Sequence, residues 1–140
     1  MRTTHPTYQQ PKGQRIRPST RHLIRSGVLA GAVAAVCTTS VAAIALAANV
    51  KLEINQPIPL PAFAMWTVVG AALGVVLARV LLERRRFVVV TTAAACMSLI
   101  PAIAAPDNLG TKVVLVGSHL LAAAIIIPAL SSQLARGVRD

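Results

Sequence analysis

Four residues, Glu83-Arg84-Arg85-Arg86, lie between two long apolar stretches and limit what this chain can fold into. Three adjacent guanidinium groups do not readily enter hydrocarbon, whereas the flanking runs carry almost no charge. Each flanking half is long enough for two membrane-crossing helices. The chain therefore divides into one helical hairpin before the arginines and a second after them. Whichever side of a bilayer holds Arg85 also holds both chain ends.

Composition supports this division. Of the 140 residues, 55% are hydrophobic and 13% charged, with a mean hydropathy of +0.67. A soluble domain of this length rarely has that balance, and the long Ala, Val, Leu and Ile runs are typical of bilayer spans. The net charge of +10 raises nucleic acid as a partner, but its distribution argues otherwise. Six of the 14 basic residues (Arg2, Lys12, Arg15, Arg17, Arg21 and Arg25) precede the first apolar run. Four more, Arg79, Arg84, Arg85 and Arg86, surround the central break. That is the positive-inside pattern of a multi-pass protein of the cell (plasma) membrane, with both termini cytoplasmic. The expected partner is a lipid bilayer with anionic lipids, met by Arg21, Arg25 and Arg84–Arg86, and not nucleic acid.

The fold expected is an all-α membrane protein whose four transmembrane helices form two in-out-in hairpins. Residues 1–24 read as a basic, disordered cytoplasmic tail, interrupted by Pro6, Pro11 and Pro18. Residues 25–134 hold the transmembrane domain, with spans at about 27–48, 62–82, 87–105 and 111–134. Residues 135–140 form a short basic cytoplasmic end. The first span follows basic residues and ends near Ala45-Leu46-Ala47, as a signal peptide would. Its apolar run exceeds the roughly 7–15 residues of such a segment, so a retained span is expected.

Local signals fill in this frame. Gly27/Gly31 and Gly70/Gly74 are GxxxG pairs, the helix-packing candidates. The first pair is expected near the inner end of its span and the second midway along its own, so they need not face each other. Pro57-Ile58-Pro59-Leu60-Pro61 predicts a stiff, extended connector, its Ile58 and Leu60 touching the interface or a neighbouring helix. Phe63 and Trp66 are placed as interfacial anchors. Arg79 and Glu83 stand four apart, the spacing of a helical ion pair. Pro101 is expected to kink or shorten the third span. Thr91, Thr92 and Ser98 are read as helix–helix or back-bonding groups. Asp107 or Asn108 is the expected cap of the fourth helix.

The fourth span carries the ligand or proton candidate, His119. Lys112 lies seven residues before it, on one face with Leu115, Ala123 and Ile126. With Asp107 these residues outline a site opening to the outer face. A neutral His119 can equally hold helices together through one hydrogen bond. Cys37 and Cys96 stand alone in separate apolar runs, which predicts neither a disulfide nor a metal site, and no cofactor is expected. No nucleophile is paired with a base and there is no nucleotide loop, so no catalytic residue is assigned and the chain is not expected to be an enzyme. Two hairpins of the same orientation also disfavour an inverted-repeat transporter.

Leu81-Leu82-Glu83-Arg84, the Ala-rich approach to Lys112, and Lys112 with His119-Leu120-Leu121 and Ile127-Pro128 together resemble an uncharacterised family of small actinobacterial membrane proteins (domain of unknown function 6069). The resemblance spans roughly residues 22–134. It implies four helices and marks Lys112, His119 and Pro128 as motif positions. It supplies no activity. The function expected is that of a small non-enzymatic accessory or scaffold subunit, docking on a larger membrane complex or forming a homo-oligomer. The alternative is a small transporter or proton/ligand-handling protein using His119.

Overall fold

The computed structural model describes residues 20–136. Residues 1–19, most of the expected tail, and residues 137–140 lie outside the described part. The described residues form helices α1 (Thr20–Ala47), α2 (Leu60–Leu81), α3 (Arg84–Ala104) and α4 (Leu109–Arg136). Each is long and apolar enough to cross a bilayer. Between α1 and α2, the short strands β1 (Glu53–Ile54) and β2 (Gln56–Pro57) pair antiparallel. Asn55 makes the turn at φ 58°, a left-handed conformation that asparagine tolerates well. The proline run is thus shorter than an extended connector. Its first residue ends the hairpin, and Leu60-Pro61 already begin α2.

Helix α1 starts seven residues before the 27–48 span expected from hydropathy, at Thr20. The reason is packing. Leu23 is buried and begins a stripe that continues through Gly27, Ala30, Gly31, Ala34, Thr38, Ala42 and Ala45. Steps of three and four residues keep that stripe on one face. Nearly all of it is small, so neighbouring backbones come close. A Cβ placed on Gly27 would overlap Val75, and one on Gly31 would lie 2.8 Å from the Ala71 Cβ. Apolar contact is no more favourable with a helix than with a lipid tail, so such close van der Waals fit is what holds transmembrane helices together.

These contacts set the register and correct an expectation. Gly27 opposite Val75 and Gly31 opposite Ala71 make α1 and α2 antiparallel, with the first glycine pair level with the segment holding the second. The early start of α1 accounts for the shift in depth. The second pair does not act as a unit. Gly74 faces Ile126 and Leu130 of α4, while a Cβ on Gly70 would meet nothing within 4 Å.

Two clusters fill the interior. Leu23, Ala34, Ala71, Ala78, Phe87, Ile126, Leu130 and Leu134 occupy the end near the arginines. Ala42, Ala45, Leu52, Phe63 and Val114 occupy the opposite end, where Ile58 and Leu60 pack against them. Phe63 is therefore a core residue and not an interfacial anchor; Trp66, three residues on, is exposed. Helix α3 sits at the periphery, packed chiefly on α4 and lightly on α2.

The junction of α2 and α3 overturns the ion pair expected from spacing. Leu82 adopts φ 42° and ends α2, and Glu83 is extended ahead of α3. Arg79 and Glu83 are thus no longer on one helix. Glu83 Oε2 instead meets Arg86 Nε at 2.9 Å. The arginine triplet forms the first turn of α3 instead of a loop. Pro101 does not end α3 early, because the helix runs on to Ala104 and the Ala105 N–H donates to the Pro101 carbonyl at 2.9 Å.

Candidate functional site

His119 lies on α4, half-buried, facing α3. Its Nε2 is 2.6 Å from Ser98 Oγ. The serine hydroxyl has one hydrogen, which it gives to the Ala95 carbonyl at 2.8 Å. With that hydrogen on Ala95, the Nε2–H donates to the serine oxygen; in the other tautomer the hydroxyl turns to Nε2 instead. Nδ1 has no hydrogen-bond partner among the described residues. Of the side-chain hydrogen bonds there, Ser98–His119 alone ties α3 to another helix. The contact is a clasp on the peripheral helix, consistent with both readings of Ser98, as a back-bonding and as a helix–helix group.

The other two candidates are not brought to it. Lys112 is half-buried and Asp107 exposed. Neither makes a hydrogen bond or ion pair with His119 among the described residues. Lys112 lies about 10 Å from His119 along the helix axis. The polar centre at that end is Thr111, which is fully buried. Its hydroxyl donates to the Lys51 carbonyl at 2.7 Å and accepts the Glu53 N–H at 3.3 Å. Asn108 caps the helix, its Oδ1 accepting the Thr111 N–H at 2.7 Å. Thr111 thereby fastens the α1–α2 loop to the start of α4. The sequence marks it only as the first residue of a span, because its partners lie about 60 positions away.

A second polar group lies inside the bundle. Thr38 and Thr67 meet hydroxyl to hydroxyl at 3.0 Å, linking α1 to α2, and Thr67 also donates to the Phe63 carbonyl at 2.7 Å. Thr39 and Ser118 each bury a hydroxyl that finds no partner among the described residues. Since Gly27 meets Leu130 and Ala42 clusters with Val114, antiparallel register sets Thr39 and Ser118 at about the same level. Burial of unpaired hydroxyls is uncommon and leaves this layer weaker than its apolar neighbours.

Charge divides sharply between the two ends of the bundle. Arg21, Arg25, Arg79 and Arg84–Arg86 gather at one end and are exposed, with Glu83 the acid there among the described residues. At the other end Lys51 and Lys112 are balanced by Glu53 and Asp107. Arginines in the first turn of α3 oppose the helix dipole, so helix stability does not explain their placement. Cys37 and Cys96 are free thiols on α1 and α3. Among the described residues no group of three His, Cys, Asp or Glu side chains could hold a metal ion.

A protein-family model described as a family of unknown function (DUF6069) matches residues 18–136. No curated protein and no solved structure matches the chain.

Proposed function

The chain belongs to this family of unknown function, and on that premise we propose that it is a non-catalytic, multi-pass protein of the plasma membrane that docks on a membrane partner, or on a second copy, through α3. The observation that carries this reading is the coverage of α3. Of the 21 residues of α3 only Phe87 and Thr91 are buried, both in its first half, and only α4 packs closely on the helix; Met97, Ile100 and Val89 are exposed. The uncovered surface also includes Thr92, Ala93, Ala94 and Cys96. Short side chains permit close helix–helix approach, as they do between α1 and α2. The glycine pairs do not support docking in the way their spacing implies, since Gly27, Gly31 and Gly74 are used inside the bundle.

The test is mass measurement of the protein released in a mild detergent. The wild type should carry a stoichiometric companion, which Ala94→Trp on α3 removes and Val76→Trp, on an exposed part of α2, does not. A wild-type monomer with no companion would sink the proposal.

The same reading threads both ends of the chain into the cytoplasm. Its support is the charge asymmetry between the two ends of the bundle. In a background with Cys37 and Cys96 replaced by alanine, Arg85→Cys should resist an impermeant maleimide in intact cells and react after permeabilisation. Reaction in intact cells would reverse the threading.

A further inference from the structure

A shallow groove of about 330 Å³ runs between α1 and α4 at the basic end of the bundle. Its polar residues are grouped. Ser26, Ser132 and Gln133 stand at the end nearest the arginines, while Leu29, Val33 and Ile125 line the deeper part. We propose that the groove binds one anionic phospholipid, with an acyl chain along the deeper part and the phosphate at the polar rim. This site stands independently of whether α3 docks a partner.

Three observations converge on that ligand class. First, the polarity gradient runs along the helices, as it does along a lipid of the leaflet next to the arginines. From Ser26 to Val33 the groove covers about 10 Å of helix, well within one leaflet of a ~30 Å hydrocarbon core. Second, arginines stand beside the uncharged rim. Arg25 adjoins Ser26, Arg21 lies about one turn earlier, and α1 contains no acidic residue. The acid described at that end, Glu83, is engaged by Arg86. A headgroup with an unneutralised phosphate is favoured there over one that carries its own ammonium. Third, donors are available. Ser132 bonds back to the Ala129 carbonyl at 2.8 Å, but Ser26 and Gln133 make no side-chain hydrogen bond among the described residues. Both can donate to phosphate oxygens.

The test uses the full chain, stripped of lipid in detergent and titrated with phosphatidylglycerol or phosphatidylcholine of identical acyl chains, with bound lipid read by native mass spectrometry. One phosphatidylglycerol per chain should bind with at least a roughly tenfold preference, an increment that a single charge-assisted contact can supply. Ala129→Phe, which fills the groove, should abolish that binding. Arg25→Gln should erase the preference, and Val76→Phe on α2 should change nothing. If Ala129→Phe fails to fold, Gln133→Leu replaces it and should weaken binding. Glycerol phosphate, which has no acyl chain, should not compete. Equal binding of the two lipids, full binding by the filled groove, or competition by glycerol phosphate would each overturn the assignment. So would a preference that survives Arg25→Gln and disappears only when Lys12, Arg15 and Arg17 are neutralised.

Discussion

Gly31→Val is expected to lower stability by about 3 kcal/mol or more, the upper range for overpacking a close interface. The new Cβ would stand 2.8 Å from the Ala71 Cβ. That atom is fixed to its backbone and has no torsion by which to withdraw, so α1 and α2 must separate. Separation also strains the Thr38–Thr67 contact two turns further along the same interface. At Gly27 the obstacle is the Val75 side chain, which can rotate at some cost, so Gly27→Ala should be milder. Gly70→Ala is the contrast. Nothing lies within 4 Å of its Cβ, and removing a helix-interior glycine should gain roughly 0.5–1 kcal/mol. Thermal unfolding in one detergent orders the three variants. Equal melting of Gly31→Val and Gly70→Ala would mean that the α1–α2 face is not packed as described.

Thr111→Val should cost about 2 kcal/mol by leaving buried backbone groups unpaired. Valine keeps the shape of threonine, so the packing around this buried side chain is little disturbed. The Lys51 carbonyl loses its donor and the Glu53 N–H its acceptor. Because the loop is anchored there, the loss should be local as well as global. Amide hydrogen exchange should accelerate over residues 51–58 while the α1–α2 interface stays protected. Thr111→Ser, which keeps the hydroxyl, should retain most of the protection. A Thr111→Val protein with an unchanged melting temperature and a protected Glu53 amide would mean that Thr111 does not clamp the loop.

Much of this architecture is legible in the chain because hydrocarbon solvation acts on whole segments. Twenty or so apolar residues make a span whatever their order, and Glu83-Arg84-Arg85-Arg86 can only interrupt. Boundaries are harder. Arg21 and His22 look like tail, yet Leu23 belongs to the interior stripe and brings Thr20 into α1. Pairings between side chains depend on where helices break and how they align. The Arg79–Glu83 spacing is sound for one continuous helix, and the left-handed Leu82 removes that continuity. His119 and Ser98 are both conspicuous as polar residues in apolar runs. That they meet follows from the α3–α4 register, which neither residue encodes. Thr111 carried no signal at all, and the groove at Ser26 and Gln133 exists only once α1 lies against α4.

Only Leu82 and Glu83 separate the end of α2 from the start of α3. A tether this short keeps the two hairpins pinned together at one rim while the opposite rim is held by the longer, hydrogen-bonded loop. Relative motion of the halves is then opposed at both rims and along the α1–α4 contact between them. Wholesale sliding or parting of the hairpins would require unwinding a helical turn.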